Sequence, residues 1–224
     1  MPAEPRGRPA ADTRARGGDS GEPRVRESYH HGDLRASLVR ASLVLLAEEG
    51  LVGLTLRSVA RRVGVSHAAP KNHFGDLSGL LEAVAAEGFL RLAEAMEAAV
   101  AAAPDPLSRL LEAGVAYVAF ARRRPGHFRA MFHPRLGPRL AGGELEQAST
   151  RALGVLVDAM RAAQAAGVVR QGDALELSLA AWSLVHGLAA LAVDDHLAHK
   201  GLSHEPEALA RTLGLHLYFG VRTS

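Results

Sequence analysis

The chain has no cysteine, and aromatic residues make up only 4% of its 224 positions, with a single tryptophan. The first absence excludes disulfide bonds, thiol nucleophiles, cysteine-ligated zinc and redox sensing through thiols. A small secreted scaffold stapled by disulfides goes with them. The composition is instead rich in alanine, leucine and arginine, which favours helices. No alternating apolar and polar run of useful length is present, so the expected fold is all-α. Long apolar runs are scarce too. The longest, near Leu177 to Val193, is interrupted by Ser183 and His186, and the opening MPAEPRGRPAADTRARGG has no apolar core of the kind a signal peptide or anchor needs. A soluble, cytoplasmic protein with no membrane partner is expected. Also missing are a Gly-rich phosphate loop, a nucleophile motif and a spaced ligand set, so neither cofactor nor metal is expected.

Charge of one sign is not in excess overall, since the formal net charge is only +2. Its distribution is uneven: residues 1–75 hold 12 Lys and Arg against 8 Asp and Glu, while residues 76–224 hold 14 against 16. The positive surplus lies at the N-terminal end, where phosphate neutralisation would use it. Residues 1–28 are rich in Pro, Gly, Arg and acidic residues with almost no large apolar ones, which predicts a disordered arm. Arg24 and Arg26 in that arm are candidates for a minor-groove contact, partly cancelled by Glu22 and Glu27.

The segment from Thr55 to Phe74, TLRSVARRVGVSHAAPKNHF, is the most informative part of the chain. Leu56, Val59, Ala60 and Val63 recur at helical spacing, with Arg57, Arg61 and Arg62 on the other side. Thr55 is the expected N-cap, and Gly64 the left-handed C-cap, with Val65 tucked into the corner. Ser66 is then the expected N-cap of a second helix that presents His67, Lys71, Asn72 and His73 outward, with Pro70 near its first turn and Phe74 as its core anchor. Two short helices bent around a glycine place the second in a DNA major groove. The candidate DNA-contacting set is Thr55, Arg57, Ser66, His67, Ala68, Lys71, Asn72 and His73. A preceding helix from Leu34 to Glu49, with the stripe Leu34, Leu38, Ala41, Leu45 and Leu46 and a stop at Gly50, completes a three-helix unit.

At this point the chain resembles the tetracycline-repressor (TetR) family of bacterial transcription regulators. The run YHHGDLRASLVRASLVLLAEEGLVGLTLRSVARRVGVSHAAPKNHFGDLSGLLEAV carries helix one, the AEEG stop, the T-L-x-x-V-A-x-x-V-G-V-S core and the terminal H-F in family order. The resemblance implies a phosphate-binding tyrosine at position 71, where this chain has Lys71, and a lysine at position 77, where it has Leu77. Lys71 can serve the same phosphate as a mobile point charge, whereas one contact is missing at Leu77, leaving that role to the amides of the next helix. The runs AYVAFARRRPGHFRAMF and AAWSLVHGLAAL resemble a subset of the family whose C-terminal domain bears a Trp-His-Gly signature, here Trp182, His186 and Gly187. The two matches together span nearly all of residues 29–219. They imply a ligand-responsive repressor that binds a palindromic double-stranded operator as a homodimer.

The domain expectation is therefore an arm over 1–28, a helix-turn-helix unit over 29–76 running into a linking helix over 77–100, and a helical regulatory and dimerisation domain over 101–224. Within the last, helices are predicted over Leu107–Arg123 after a break at Pro104 and Pro106, His127–Phe132, Glu144–Ala166, Asp173–Ala198 and Glu205–Phe219, with the Pro- and Gly-rich loop HPRLGPRLAGG among them. Leu179, Trp182, His186, Ala189, Leu209, Leu213 and Leu217 form the candidate dimer stripes. Phe89, Met96, Tyr117, Phe120, Phe128, Met131, Phe132, Met160, Trp182 and His186 are the candidate lining of a pocket for a small apolar effector. Two rival readings are open. One is a helical protein-interaction module. The other is a metal-dependent enzyme that joins His186 to Asp194 and Asp195, or His196 to His199 and Asp195.

Overall fold

The computed structural model describes residues 31–134, 136, 142–199 and 205–221. The arm with Arg24 and Arg26, and most of the loop after His133, lie outside these residues. In chain order the helices are α1 (His31–Glu48), α2 (Gly50–Gly53), α3 (Leu56–Val63), α4 (Ala68–Phe74), α5 (Leu77–Ala102), α6 (Pro106–Arg123), α7 (Pro125–Met131), α8 (Glu144–Ala165), α9 (Ala174–Val193), α10 (His196–His199) and α11 (Pro206–Val221). No strand occurs among the described residues, and the fold is all-α.

Local chemistry explains where four of these helices begin. Thr55 caps α3 as expected, its hydroxyl accepting the Ser58 N–H at 3.0 Å while the Ser58 hydroxyl accepts the Thr55 N–H at 2.9 Å. This reciprocal capping box satisfies two otherwise orphaned donors. Asp76, Asp105 and Asp173 cap α5, α6 and α9 with their carboxylates. Pro106 does not break the chain as expected. It is the first residue of α6, where its missing N–H has no partner to lose. Gly64 ends α3 at φ +78°, and the Val65 N–H reaches back to the Ala60 carbonyl, which closes the turn.

Two expected boundaries are corrected. Ser66 does not cap α4 with its side chain. The helix starts at Ala68, and Ser66 contributes only its carbonyl, which accepts the Ala69 N–H. The helix expected over Asp173–Ala198 ends at Val193, because Asp195 adopts φ +56° and separates α9 from α10. An aspartate tolerates that conformation better than most residues do.

Two main cores are formed. Leu38, Leu45, Leu46, Leu54 and Val59 from α1 to α3 pack with Leu80, Leu81 and Val84 from the start of α5. Each of these buried side chains contributes about 1.5–3 kcal/mol by leaving water. The second core joins the rest of α5 to α6 to α9 and α11 around Phe89, Met96, Val118, Phe120 and Phe128. The 26-residue α5 thus belongs to both cores. Short α7 is wedged between them. A Cβ on its Gly126 would stand 2.9 Å from the Leu43 carbonyl of α1, and one on Gly88 of α5 would stand 2.7 Å from Met131 Cγ.

Candidate nucleic-acid interface and ligand cavity

The reading helix α4 is held on its inner side by Pro70, which is buried, and by Phe74, which packs on the first core. Its outer side carries exposed His67, Ala68, Lys71 and Asn72, while His73 is half-buried with its ring 6.2 Å from Phe74. Thr55, Arg57 and Ser66 are exposed along the same unit. Of the eight residues named from the sequence, seven are thus exposed, and His73 is the least accessible. Arg62 is committed elsewhere: its guanidinium makes a two-pronged pair with Glu48 of α1 at 2.6 and 3.0 Å, and this hydrogen bond raises its pKa further. At the start of α5 the amides expected to stand in for a lysine at Leu77 are partly occupied, since Asp76 accepts the Gly79 N–H at 3.0 Å. Asp76 was not singled out in the sequence, although an aspartate directly before an apolar helical run is a cap signal.

Arg35 of α1 connects the reading unit to the second domain. Its guanidinium lies 5.5 Å from the centre of the Phe74 ring and 3.0 Å from Glu144 at the start of α8.

In the second domain a cavity of about 220 Å³ lies among α5, α6, α8, α9 and α11. Of the ten residues expected to line it, Phe89, Met96, Tyr117, Phe132, Met160 and Trp182 do. Phe120, Phe128, Met131 and His186 do not. The first three are core side chains, and His186 stands behind Tyr117, its Nδ1 2.8 Å from the hydroxyl. Trp182 Nε1 donates to the same hydroxyl at 3.2 Å. Burial pushes the Tyr117 phenol well above its ordinary range and lowers the His186 pKa, so both are neutral. Sequence periodicity had no means of pairing residues this far apart in the chain.

One member of the candidate dimer stripes is corrected. Ala189 is 0% exposed and fully enclosed in the core. Leu209 and Leu213 pack on that core, and Leu217, like Trp182, lines the cavity. Leu179 is the fully exposed member of the named set, in a row of α9 with Leu175, Ser183, Gly187 and Leu191, while Trp182, His186, Leu209, Leu213 and Leu217 are half-buried. Leu175, Leu179 and Leu191 are 46%, 40% and 45% exposed. Thr212, His216 and Phe219 of α11 are exposed as well.

Among the described residues no metal-enzyme cluster assembles, and the side chain of His199, named for one of the two clusters, lies outside them. Asp194 pairs with Arg129 at 3.0 Å and His186 with Tyr117, and no three His, Asp or Glu converge on a metal site among the described residues.

A capped two-helix turn on a three-helix unit, joined by one long helix to an all-α part with a cavity, defines a helix-turn-helix protein with a second helical region. Residues 110–215 match the family model described as "Tetracyclin repressor-like, C-terminal domain". The HTH-type transcriptional regulator BetI of Burkholderia ambifaria is 44% identical over 77 residues, 34% of this chain and 40% of that relative. The chain thus aligns with less than half the length of such curated relatives. A Rhodococcus sp. RHA1 protein of unknown function is 33% identical with a TM-score of 0.73, over 88% of this chain and 100% of the other. PfmR of Thermus thermophilus, a TetR family transcriptional regulator, shares the fold at 19% identity and a TM-score of 0.64, over 83% and 99% of the two chains. The chain belongs to the TetR family of transcriptional regulators.

Proposed function

We propose that the protein is a ligand-responsive, cytoplasmic DNA-binding repressor that holds a palindromic operator as a homodimer. The observation that carries this reading is α4: a short helix anchored inward by Pro70 and Phe74 that presents Lys71 and Asn72 to solvent. Lys71 meets phosphate and Asn72 is suited to an adenine edge. Two copies joined along the exposed row of α9 and the outer side of α11 would bring two reading heads into one assembly. That use also accounts for α9, which has the length and apolarity of a membrane span yet is only partly buried by its own domain.

A small apolar effector in the cavity would act through α7. Phe132, which follows α7, lines the cavity, while Gly126 and Met131 abut α1 and α5. A displacement of α7 therefore reaches the reading unit directly, biasing the population of DNA-competent states.

The test is binding of labelled double-stranded fragments spanning the DNA around the protein's own gene, over a range of salt. Saturable retention with log affinity falling linearly against log salt supports the reading. Salt-independent retention, or none, contradicts it.

A further inference from the structure

The chemistry of the cavity narrows what occupies it, and the inference rests on the reading of this cavity as the effector site. Its volume of about 220 Å³ is far more than one water requires, and its walls are formed by side chains such as Leu92, Leu110, Leu156 and Val185. No charged side chain lines it among the described residues. Polar side-chain atoms come only from Tyr117, Ser149, Trp182 and Tyr218. Ser149 already donates to the Glu146 carbonyl at 3.0 Å, and Trp182 already donates to Tyr117.

Tyr117, 4% exposed, is the buried polar centre, whereas Tyr218, the other phenol on the lining, is only half-buried. A phenol offers one proton and two lone pairs. Trp182 Nε1 uses one lone pair, and His186 Nδ1 uses either the second or the proton, depending on its tautomer. One hydrogen-bonding position at Tyr117 is left for a bound molecule under either tautomer. An ion would enter with no opposite charge to meet it, and an aromatic face offsets only part of a cation's lost hydration. We propose that the cavity selects an uncharged, largely apolar small molecule whose single hydrogen-bonding group docks on the Tyr117 hydroxyl. Burial keeps Tyr117 and His186 neutral, so the site stays free of charge at physiological pH.

The chain's one tryptophan, Trp182, lines this cavity and reports its occupancy by fluorescence. Four probes of similar size are titrated into the full-length protein at neutral pH without DNA: butylbenzene, phenylbutanol, phenylbutanoate and phenylbutylammonium. The alcohol is expected to bind at least ~3-fold more tightly than the hydrocarbon through its one added hydrogen bond. Both ions are expected to bind more than ~100-fold more weakly than the alcohol. Tyr117→Phe should reduce the alcohol to the affinity of the hydrocarbon. Equal or tighter binding by either ion, no saturable response to either neutral probe, or an unchanged alcohol preference in folded Tyr117→Phe overturns the proposal. If Tyr117→Phe does not fold, the ranking of probes on the unsubstituted protein decides alone. A protein that ranks the probes as stated but retains no DNA contradicts the repressor reading and leaves this inference standing, and DNA retention with a reversed ranking does the opposite.

Discussion

Lys71 stands where the family resemblance implies a tyrosine, and the structure leaves it exposed on α4 next to Asn72. A lysine contacts a phosphate without the geometric demands of a planar group, so its loss should weaken binding to every sequence alike. Lys71→Ala is expected to lower operator affinity and reduce the slope of log affinity against log salt by about one, with thermal melting unchanged. Affinity titrations at several salt concentrations check this, and an unchanged slope would remove Lys71 from the phosphate contacts. Thr55→Ala acts on folding instead. Removing one arm of the capping box should cost about 1 kcal/mol in a denaturant titration. These residue-scale features were legible because they are local. Thr55 and Gly64 declare themselves by cap chemistry and by a turn that favours glycine, whereas Ser66 misled because a serine one residue before the true cap carries the same signal.

The helices show where that legibility ends. α9 is apolar on more than one side, so its period cannot tell which leucines face the core and which face a partner. Ala189 and Leu179 looked alike in the sequence, yet one is enclosed and the other is 40% exposed. The break at Asp195 and the capping role of Asp76 were present in the chain as aspartates, but choosing among them takes tertiary context. Leu179→Glu is expected to dissociate the proposed homodimer in sedimentation while leaving helicity intact, since a charge on an exposed surface disturbs the monomer little. Persistence of a dimer would move the interface elsewhere. Gly126→Val should be severely destabilising, because its Cβ would collide with the Leu43 backbone carbonyl rather than with a side chain that can turn aside.

At the scale of the whole molecule, one buried and one half-buried histidine, both with lowered pKa, make stability depend on pH. His127 Nε2 is buried with no hydrogen-bond partner among the described residues. Burial lowers its pKa, Glu87 at 3.8 Å opposes that shift, and Arg124 and Arg91 reinforce it. The His186 pKa is lowered by burial as well. In the unfolded chain both take up a proton below about pH 6.5 while the folded protein resists, so unfolding is favoured as pH falls through that value. Melting temperature is therefore expected to drop between about pH 7 and pH 5, above the range where carboxylates such as Glu97 begin to titrate, and His127→Gln should flatten part of the drop. A flat profile in the unsubstituted protein would contradict the burial of these rings. The molecule as a whole joins a helix-turn-helix unit, a two-core linking helix and an uncharged cavity, and the proposed reading of DNA by α4 is tested most directly by sequencing the fragments that the purified protein selects from a random double-stranded pool. A shared motif with two-fold symmetry is expected, lost with Lys71→Ala and Asn72→Ala together. A pool that remains random after selection would contradict it.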